Sequence, residues 1–132
     1  MPLSRDDFAA WLGRYVTAWR SRDPRDIGDL FSVDARYSFR AGTEVAEGRE
    51  AIVRAWEAHD SDDPWEAAYA PLAIDGEVHV ARGWTRYFRR DGSLGHEYSN
   101  IFLCRFDADG RCAEFTEWWM LTYDAEQEKD QP

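Results

Sequence analysis

Residues 94–123 read LGHEYSNIFLCRF, then DADG, then RCAEFTEWWMLTY. Two runs of strand-forming residues flank a short turn rich in Asp and Gly, which is the pattern of a β-hairpin. We predict that residues 107–110 form the turn and that Phe106 faces Arg111. This register pairs Phe102 with Phe115, Asn100 with Glu117, and Tyr98 with Trp119.

The two faces of this hairpin differ in polarity, because side chains alternate from one face of a sheet to the other. One face carries Glu97, Arg105 and Glu114. The opposite face is largely aromatic, and Glu117 is its one carboxylate. We therefore predict that the aromatic face is the interior of the protein. Its members are His96, Tyr98, Asn100, Phe102, Cys104, Phe115, Glu117 and Trp119.

The bulk composition describes one acidic domain. The chain has 132 residues, and its 16 basic and 26 acidic side chains give a net charge of −10. This length is enough for a single hydrophobic core. The negative charge repels phosphate backbones and anionic membranes, so neither nucleic acid nor a membrane is an expected partner. We predict a domain over residues 1–123 and a disordered tail over residues 124–132, which are charged and unpatterned.

The sequence offers no targeting segment and no cofactor motif. No apolar run reaches the length of a membrane helix, and the N-terminal residues lack a signal-peptide core, which favours a cytoplasmic location. Cys104 and Cys112 lack metal-site spacing and are typical of small buried residues in a reducing compartment. The sequence contains no glycine-rich phosphate loop, and no group of His, Asp and Glu residues has the spacing of metal ligands. We therefore expect neither a metal nor a cofactor.

Three helices are predicted in the N-terminal half. The first begins at the N-cap Ser4 and carries an apolar stripe at helical spacing. The second is short and begins at Asp23-Pro24, a cap followed by a proline suited to the first helical position. The third covers residues 49–59. A short strand at residues 34–39 precedes it, and a polar connection joins the two.

From residue 65 onward the pattern is all strand, and glycine-containing turns predict a four-stranded antiparallel meander. Four small residues are assigned to its interior face: Ala68, Ala70, Ala81 and Gly83. The sheet side alone therefore does not fill this face, so we expect helices to cover it and to leave room for a cavity. The predicted partners on that face are Ala68 with Gly83, Gly83 with Asn100, Thr85 with Tyr98, and Tyr87 with His96.

Four stretches carry a resemblance to a known family: RYVTAW, DIGDLFSVDARYSF, EGREAIVRAW and FDADGRCAEFTEWW. With their connecting strands they cover about residues 5–123. The chain resembles the SnoaL-like group of the nuclear-transport-factor-2-like superfamily, which includes polyketide cyclases and is related to ketosteroid isomerase. The resemblance implies an α+β cone, in which one curved antiparallel sheet wraps around three N-terminal helices. It also implies an interior that binds small apolar or polycyclic molecules, and often a dimer formed through the outer sheet face.

The resemblance to ketosteroid isomerase extends to the scaffold and the pocket positions but not to the catalytic carboxyl groups. Tyr15 falls where that enzyme keeps an oxyanion-hole tyrosine, and Trp56 and Trp119 fall on ring positions that line its pocket. Phe39 stands where the isomerase has its catalytic base, and Phe102 where it has its protonated acid. Without those two carboxyl groups the enolisation chemistry of the isomerase is not expected here.

Glu117 is the leading candidate for catalysis. A carboxyl group in an apolar cavity has a raised pKa and serves as a general acid or base near neutral pH. Asn100 beside it is expected to orient the acid or bind a substrate carbonyl, and Tyr15 adds a second polar group. His96 is a candidate proton relay with Tyr98 or with Tyr15. The structural alternative pairs Glu117 with an arginine or with helix N–H groups.

The other candidate residues are predicted to line the pocket. Aromatic side chains serve equally well as core, so both interpretations stay open for them. The predicted substrate-binding residues are Trp19, Phe39, Trp56, His79, Tyr98, Phe102, Phe115 and Trp119.

These residues favour a cofactor-free enzyme that isomerises, cyclises, dehydrates or hydrolyses a small apolar cyclic molecule. A binding protein with the same pocket and a structural dimerisation module with a filled cone are the alternatives. We also predict a homodimer, because an apolar outer face on a monomer usually marks a contact. The outer-face residues are Val78, Val80, Trp84, Ile101, Leu103, Trp118 and Met120.

Overall fold

The computed structural model describes residues 2–58 and 63–126, apart from the side chain of Glu44. In this part of the chain three helices precede or interrupt six strands. The helices are α1 (Arg5–Ser21), α2 (Pro24–Leu30) and α3 (Arg49–Glu57). The strands are β1 (Phe31–Arg40), β2 (Thr43–Glu47), β3 (Trp65–Asp75), β4 (Val78–Phe88), β5 (Leu94–Phe106) and β6 (Cys112–Asp124).

The predicted helix starts are confirmed by their caps. The Ser4 hydroxyl accepts a hydrogen bond from the Asp7 N–H at 3.1 Å, and the Asp23 carboxylate accepts one from Arg25 at 2.9 Å. Both bonds satisfy N–H groups that have no partner within the helix. The third helix ends at Glu57 rather than at residue 59. His59 lies outside the described residues. No helix in the described ranges has the length and apolarity to cross a bilayer.

The six strands form one curved sheet in the order β2-β1-β6-β5-β4-β3. The last four strands are the predicted antiparallel meander, and the α+β class is confirmed. Two features were not predicted. The polar connection after β1 contains the short strand β2, and β1 pairs with β6 in parallel, so the sheet is mixed.

Between Tyr98 and Arg105 of β5, the β5–β6 register differs from the prediction by two residues. Asn100 lies opposite Trp119, and Phe102 lies opposite Glu117. The ladder begins with Phe106 opposite Cys112, and an irregularity at the next step adds the second residue of shift. A shift of two keeps Asn100 and Glu117 on their predicted face, because the side-chain period of a strand is two. The interior assignment therefore survives the register error.

The β3 register is wrong by one residue, and this changes which side chains face inward. Tyr69, not Ala68, lies opposite Gly83, because an irregularity between Pro71 and Ala73 shifts the ladder. Ala68 is consequently exposed on the outer face, as is Ala70. A Cβ at Gly83 would collide with the Ala68 carbonyl and the Tyr69 ring. The predicted row of small interior residues is therefore interrupted by a tyrosine.

The interior of the sheet has two ends that differ in packing. We call the first the closed end; it contains Phe8, Trp11, His79, Cys104 and Phe106, none of them more than 4% exposed. We call the second the open end; it contains Phe39, Tyr87, His96, Tyr98 and Trp119, all of them partly or largely exposed.

The predicted tail begins inside the last strand. Asp124 ends β6, and Ala125 is 8% exposed. Residues 127–132 lie outside the described part of the chain. The single domain over residues 1–123 stays a prediction.

Candidate active site

Glu117 and Asn100 lie side by side across β5 and β6, although they are not direct partners in the ladder. The Asn100 amide nitrogen donates a hydrogen bond to Glu117 Oε2 at 2.8 Å. Asn100 is 4% exposed, and Glu117 is half-buried. Burial raises the pKa of Glu117 to about 7, and the bond from Asn100 opposes that rise. Among the described residues no arginine or lysine forms an ion pair with Glu117.

Two polar residues that the sequence analysis did not select extend this pair. The Thr85 hydroxyl donates to Asn100 Oδ1 at 3.0 Å. The Tyr69 hydroxyl lies 2.6 Å from the Thr85 hydroxyl. Thr85 was predicted to face inward, and that position was the available signal. Tyr69 was hidden by the one-residue error in the β3 register.

Tyr15 reaches the interior from α1 and is joined there by Tyr37 of β1. Their hydroxyls are 2.8 Å apart, and both side chains are at most 2% exposed. Burial raises the pKa of both tyrosines well above the usual value, and the nearby charge of Glu117 raises each further. Both rings lie nearly parallel to Phe115. Tyr15 therefore belongs to a neutral pair of phenols within the electrostatic reach of Glu117.

The predicted aromatic lining separates into core and rim. Trp56, Phe102 and Phe115 are each 1% exposed, so their rings are packed into the core. Trp19 stacks on Trp56 with the ring centres 4.3 Å apart. The indole N–H of Trp56 has no hydrogen-bond acceptor among the described residues.

The rim side chains meet at the open end. Trp119 is 43% exposed, and its ring contacts Tyr98 edge to face at 5.5 Å. His96 contacts Tyr98 in the same way and stacks on Tyr87 at 4.9 Å. Phe39 lies beside Tyr37, with 4.4 Å between the ring centres. The structure thus places His96 among aromatic rings at the rim, and no hydrogen bond joins it to Glu117 among the described residues.

His79 lies in the closed end and not in the predicted pocket lining. Its Nε2 accepts a hydrogen bond from the Leu3 N–H at 2.9 Å. Its Nδ1 lies 3.0 Å from the Glu77 carbonyl and 3.3 Å from the Cys104 carbonyl. This pattern requires a proton on Nδ1 and none on Nε2. His79 therefore ties the N-terminal segment to the sheet.

Among the cavities formed by the described residues, two lie next to the sheet, and neither of these two is lined by Glu117 or Asn100. The larger, of about 510 Å³, lies mainly against the outer face of β3, β4 and β5, where Trp84, Arg82 and Arg86 contribute to its wall. The smaller, of about 310 Å³, lies at the open end and is lined in part by Tyr87 and His96. The Tyr69 side chain occupies the inner face where small residues were predicted, and the smaller of the two cavities lies at the rim.

Comparisons with known proteins agree with this architecture. A family model described as SnoaL-like domain matches residues 12–115. No curated protein matches the chain. Its fold is similar to that of SalBIII, an epoxide hydrolase/cyclase-like enzyme with a role in pyran ring formation in the polyether salinomycin. That match has a TM-score of 0.63 at 14% identity and covers 84% of this chain and 88% of the other.

A second solved structure is a candidate ketosteroid isomerase from Kribbella flavida DSM 17836. It matches with a TM-score of 0.65 at 19% identity and covers 91% of this chain and 82% of its own. At these identities both likenesses show a shared fold and do not extend to the chemistry of this chain.

Proposed function

Because this chain belongs to the SnoaL-like domain family, we propose that it is a cofactor-free acid–base enzyme acting on a small, largely apolar cyclic molecule. The reaction is an isomerisation, cyclisation, dehydration or hydrolysis, each of which requires proton transfer to or from the substrate or water. Glu117 is the acid or base in this proposal. Asn100 orients it, and Tyr15 supplies a neutral hydroxyl for an oxygen of the substrate.

The proposal depends on the protonation state of the Glu117 carboxyl group. A group with a pKa of about 7 is present in both protonation states at neutral pH, which is the condition for efficient general acid–base catalysis. One of its oxygens is held by Asn100, and the other, Oε1, has no hydrogen-bond donor among the described residues. A half-buried carboxyl group with one free oxygen is able to exchange a proton with a bound molecule.

The rim provides the apolar surface for the substrate. Phe39, Tyr98 and Trp119 present rings at the open end, and the nearby cavity of about 310 Å³ has Tyr87 in its wall. Burial and the neighbouring Tyr98 raise the pKa of Tyr87, and the charge of Glu117 adds to that rise, although Glu117 itself does not line this cavity. The substitution of phenylalanines for the two isomerase carboxyl groups argues against steroid isomerisation.

A matched pair of variants tests the role of Glu117. Purified protein is incubated with a panel of steroids, flavonoids and polyketide-like aromatics. Binding is measured by tryptophan fluorescence and by melting temperature, and products are detected by mass spectrometry. Glu117→Gln is expected to lose turnover by a factor of about 100 or more and to keep binding. Glu114→Gln is the control, because Glu114 is exposed on the same strand.

Three results would contradict this proposal in different ways. Binding without turnover in the wild type would identify a ligand-binding protein. No binding and no turnover across the panel would favour the structural module. Turnover that survives in Glu117→Gln would remove Glu117 as the acid or base.

We further propose that the protein is a cytoplasmic homodimer formed through the outer sheet face. Trp118 is 47% exposed and Met120 is 68% exposed on that face, and such apolar exposure usually marks a contact. Sedimentation at micromolar concentration should give about twice the chain mass of 15.4 kDa. A monomer under these conditions would contradict the interface, and recovery of the protein outside the cytosolic fraction of its cells would contradict the location.

A further inference from the structure

A continuous line of side-chain hydrogen bonds crosses four neighbouring strands and ends at Glu117. Tyr69 on β3 bonds Thr85 on β4 at 2.6 Å, and Thr85 bonds Asn100 on β5 at 3.0 Å. Asn100 then bonds Glu117 on β6 at 2.8 Å. Thr85 is 8% exposed and Asn100 is 4% exposed, so water does not readily replace these bonds.

The chemistry of the groups gives the line a direction. A threonine hydroxyl has one hydrogen, and Thr85 donates it to Asn100 Oδ1. The Tyr69 hydroxyl must therefore be the donor in its short bond to Thr85. With Oδ1 directed at Thr85, the amide nitrogen of Asn100 is directed at Glu117. Each bond thus depends on the one before it, and the last one presents an N–H group to the carboxylate.

We propose that Thr85 and Tyr69 are positioning residues that hold the Asn100 amide in the orientation that stabilises ionised Glu117. This inference rests on the proposed function, since it assigns how the acid–base group is tuned. Without the Thr85 hydroxyl, the Asn100 amide is free to turn round. Its oxygen would then accept a hydrogen bond from protonated Glu117, which stabilises the opposite protonation state.

None of the other described groups around Glu117 donates a hydrogen bond that would stabilise its ionised form, so Asn100 has this role. Four tyrosines lie within the electrostatic reach of Glu117: Tyr15 on α1, Tyr37 on β1, Tyr69 on β3 and Tyr87 on β4. Burial raises the pKa of each phenol, and the charge of Glu117 raises it further, so all four are neutral. At the rim, the Arg40 guanidinium lies 5.5 Å from the Trp119 ring centre, and His96 stacks on Tyr87. Among the described residues, the Asn100 amide is the one side-chain donor bonded to the Glu117 carboxyl.

The test is the titration of the Glu117 carboxyl by NMR of protein labelled with 13C at the glutamate carboxyl carbons. The Glu117 signal is assigned by its absence in Glu117→Gln. Thr85→Val keeps the shape and removes the hydroxyl, and we expect it to raise the pKa of Glu117 by about one pH unit. Thr85→Ser restores a hydroxyl and should titrate like the wild type. Tyr69→Phe should give a smaller rise.

The outcomes separate this inference from the proposed function. A Thr85→Val protein that titrates like the wild type would overturn the positioning role, even if Glu117 proves catalytic. A wild-type pKa near the ordinary value of about 4.3 would count against the acid–base proposal, while the difference between Val and Ser would still decide the positioning role. If Thr85→Val does not fold, Tyr69→Phe decides, and an unchanged titration there overturns the inference.

Discussion

The closed and open ends of the interior share strands β4 and β5 and differ in how their polar groups are satisfied. At the closed end His79 is fully buried, and both of its nitrogens have hydrogen-bond partners. Next to the open end Glu117 is half-buried, and one of its oxygens accepts no hydrogen bond from the described residues. The nearby Trp119 is 43% exposed. Phe102 and Phe106 on β5 belong to the packed region, and Tyr98 on the same strand belongs to the rim.

This difference indicates a division of labour between stability and chemistry. Aromatic rings at the closed end make edge contacts at 4.9 to 5.7 Å with one another, for example Phe8, Trp11 and His79 with Phe106. Such packing contributes strongly to the free energy of unfolding. The stability contributed by the closed end offsets the cost of keeping a carboxyl group near the open end, in surroundings that disfavour its charge.

The largest expected effect is at the closed end. Phe106→Ala removes a ring that contacts three aromatic neighbours and leaves a cavity in a rigid part of the core. We expect a loss of roughly 3–5 kcal/mol in the free energy of unfolding, measured by urea denaturation. A loss below about 1 kcal/mol would mean that the closed end is not the stabilising region.

An intermediate effect is expected at Gly83, where β3 approaches β4 closely. Gly83→Ala places a methyl group against the Ala68 carbonyl and the Tyr69 ring. We expect a loss of about 1–3 kcal/mol and a shift of Tyr69 away from Thr85. Gly13→Ala is the control, since no atom outside the adjacent backbone of its own helix lies within 4 Å of the added Cβ. It should leave the helix as stable or slightly more stable. Equal stability of the two variants would show that the close approach is not needed.

The smallest effect on stability is expected at the rim. Trp119→Ala should change the free energy of unfolding by less than about 1 kcal/mol, because the ring is largely exposed. The fluorescence response to a bound aromatic compound should fall markedly in the same variant. Normal ligand response combined with a large loss of stability would reverse the assignment of the two ends.

The sequence predicted the parts of the fold that follow from local patterns. The bounds of β5 were predicted correctly, and so was the pairing of Gly83 with Asn100 across the β4–β5 turn. The interior position of Glu117 was also correct, because the β5–β6 shift involved an even number of residues. Alternation and turn chemistry are sufficient for predictions of this kind.

The parts that failed depend on irregularities that local patterns do not specify. An extra residue near Leu72 in β3 shifts the β3–β4 register and places Tyr69 in the interior. Pro71 was the one local signal of a β-bulge in that strand. The candidate site therefore lacked Tyr69, and Thr85 was not chosen although its face was known. The parallel pairing of β1 with β6 joins segments far apart in the chain, which periodicity alone does not reveal.

The pH dependence of unfolding in wild type and Glu117→Gln tests the central claim most directly. The pKa of Glu117 is about 7 in the folded protein and about 4.3 in the unfolded chain. Between these values the folded state binds more protons, so the stability contributed by neutral Glu117 is lost as the pH rises through this window. Glutamine does not titrate, and its oxygen still accepts the hydrogen bond from Asn100.

We expect the stability of Glu117→Gln relative to wild type to increase by about 3 kcal/mol between pH 4 and pH 8. At pH 8 the variant should be as stable as the wild type or more so. A structural ion pair predicts the reverse, since loss of one buried partner costs about 3–5 kcal/mol. A Glu117→Gln protein that is strongly destabilised at pH 8 would therefore contradict the account of Glu117 as a poised acid–base group.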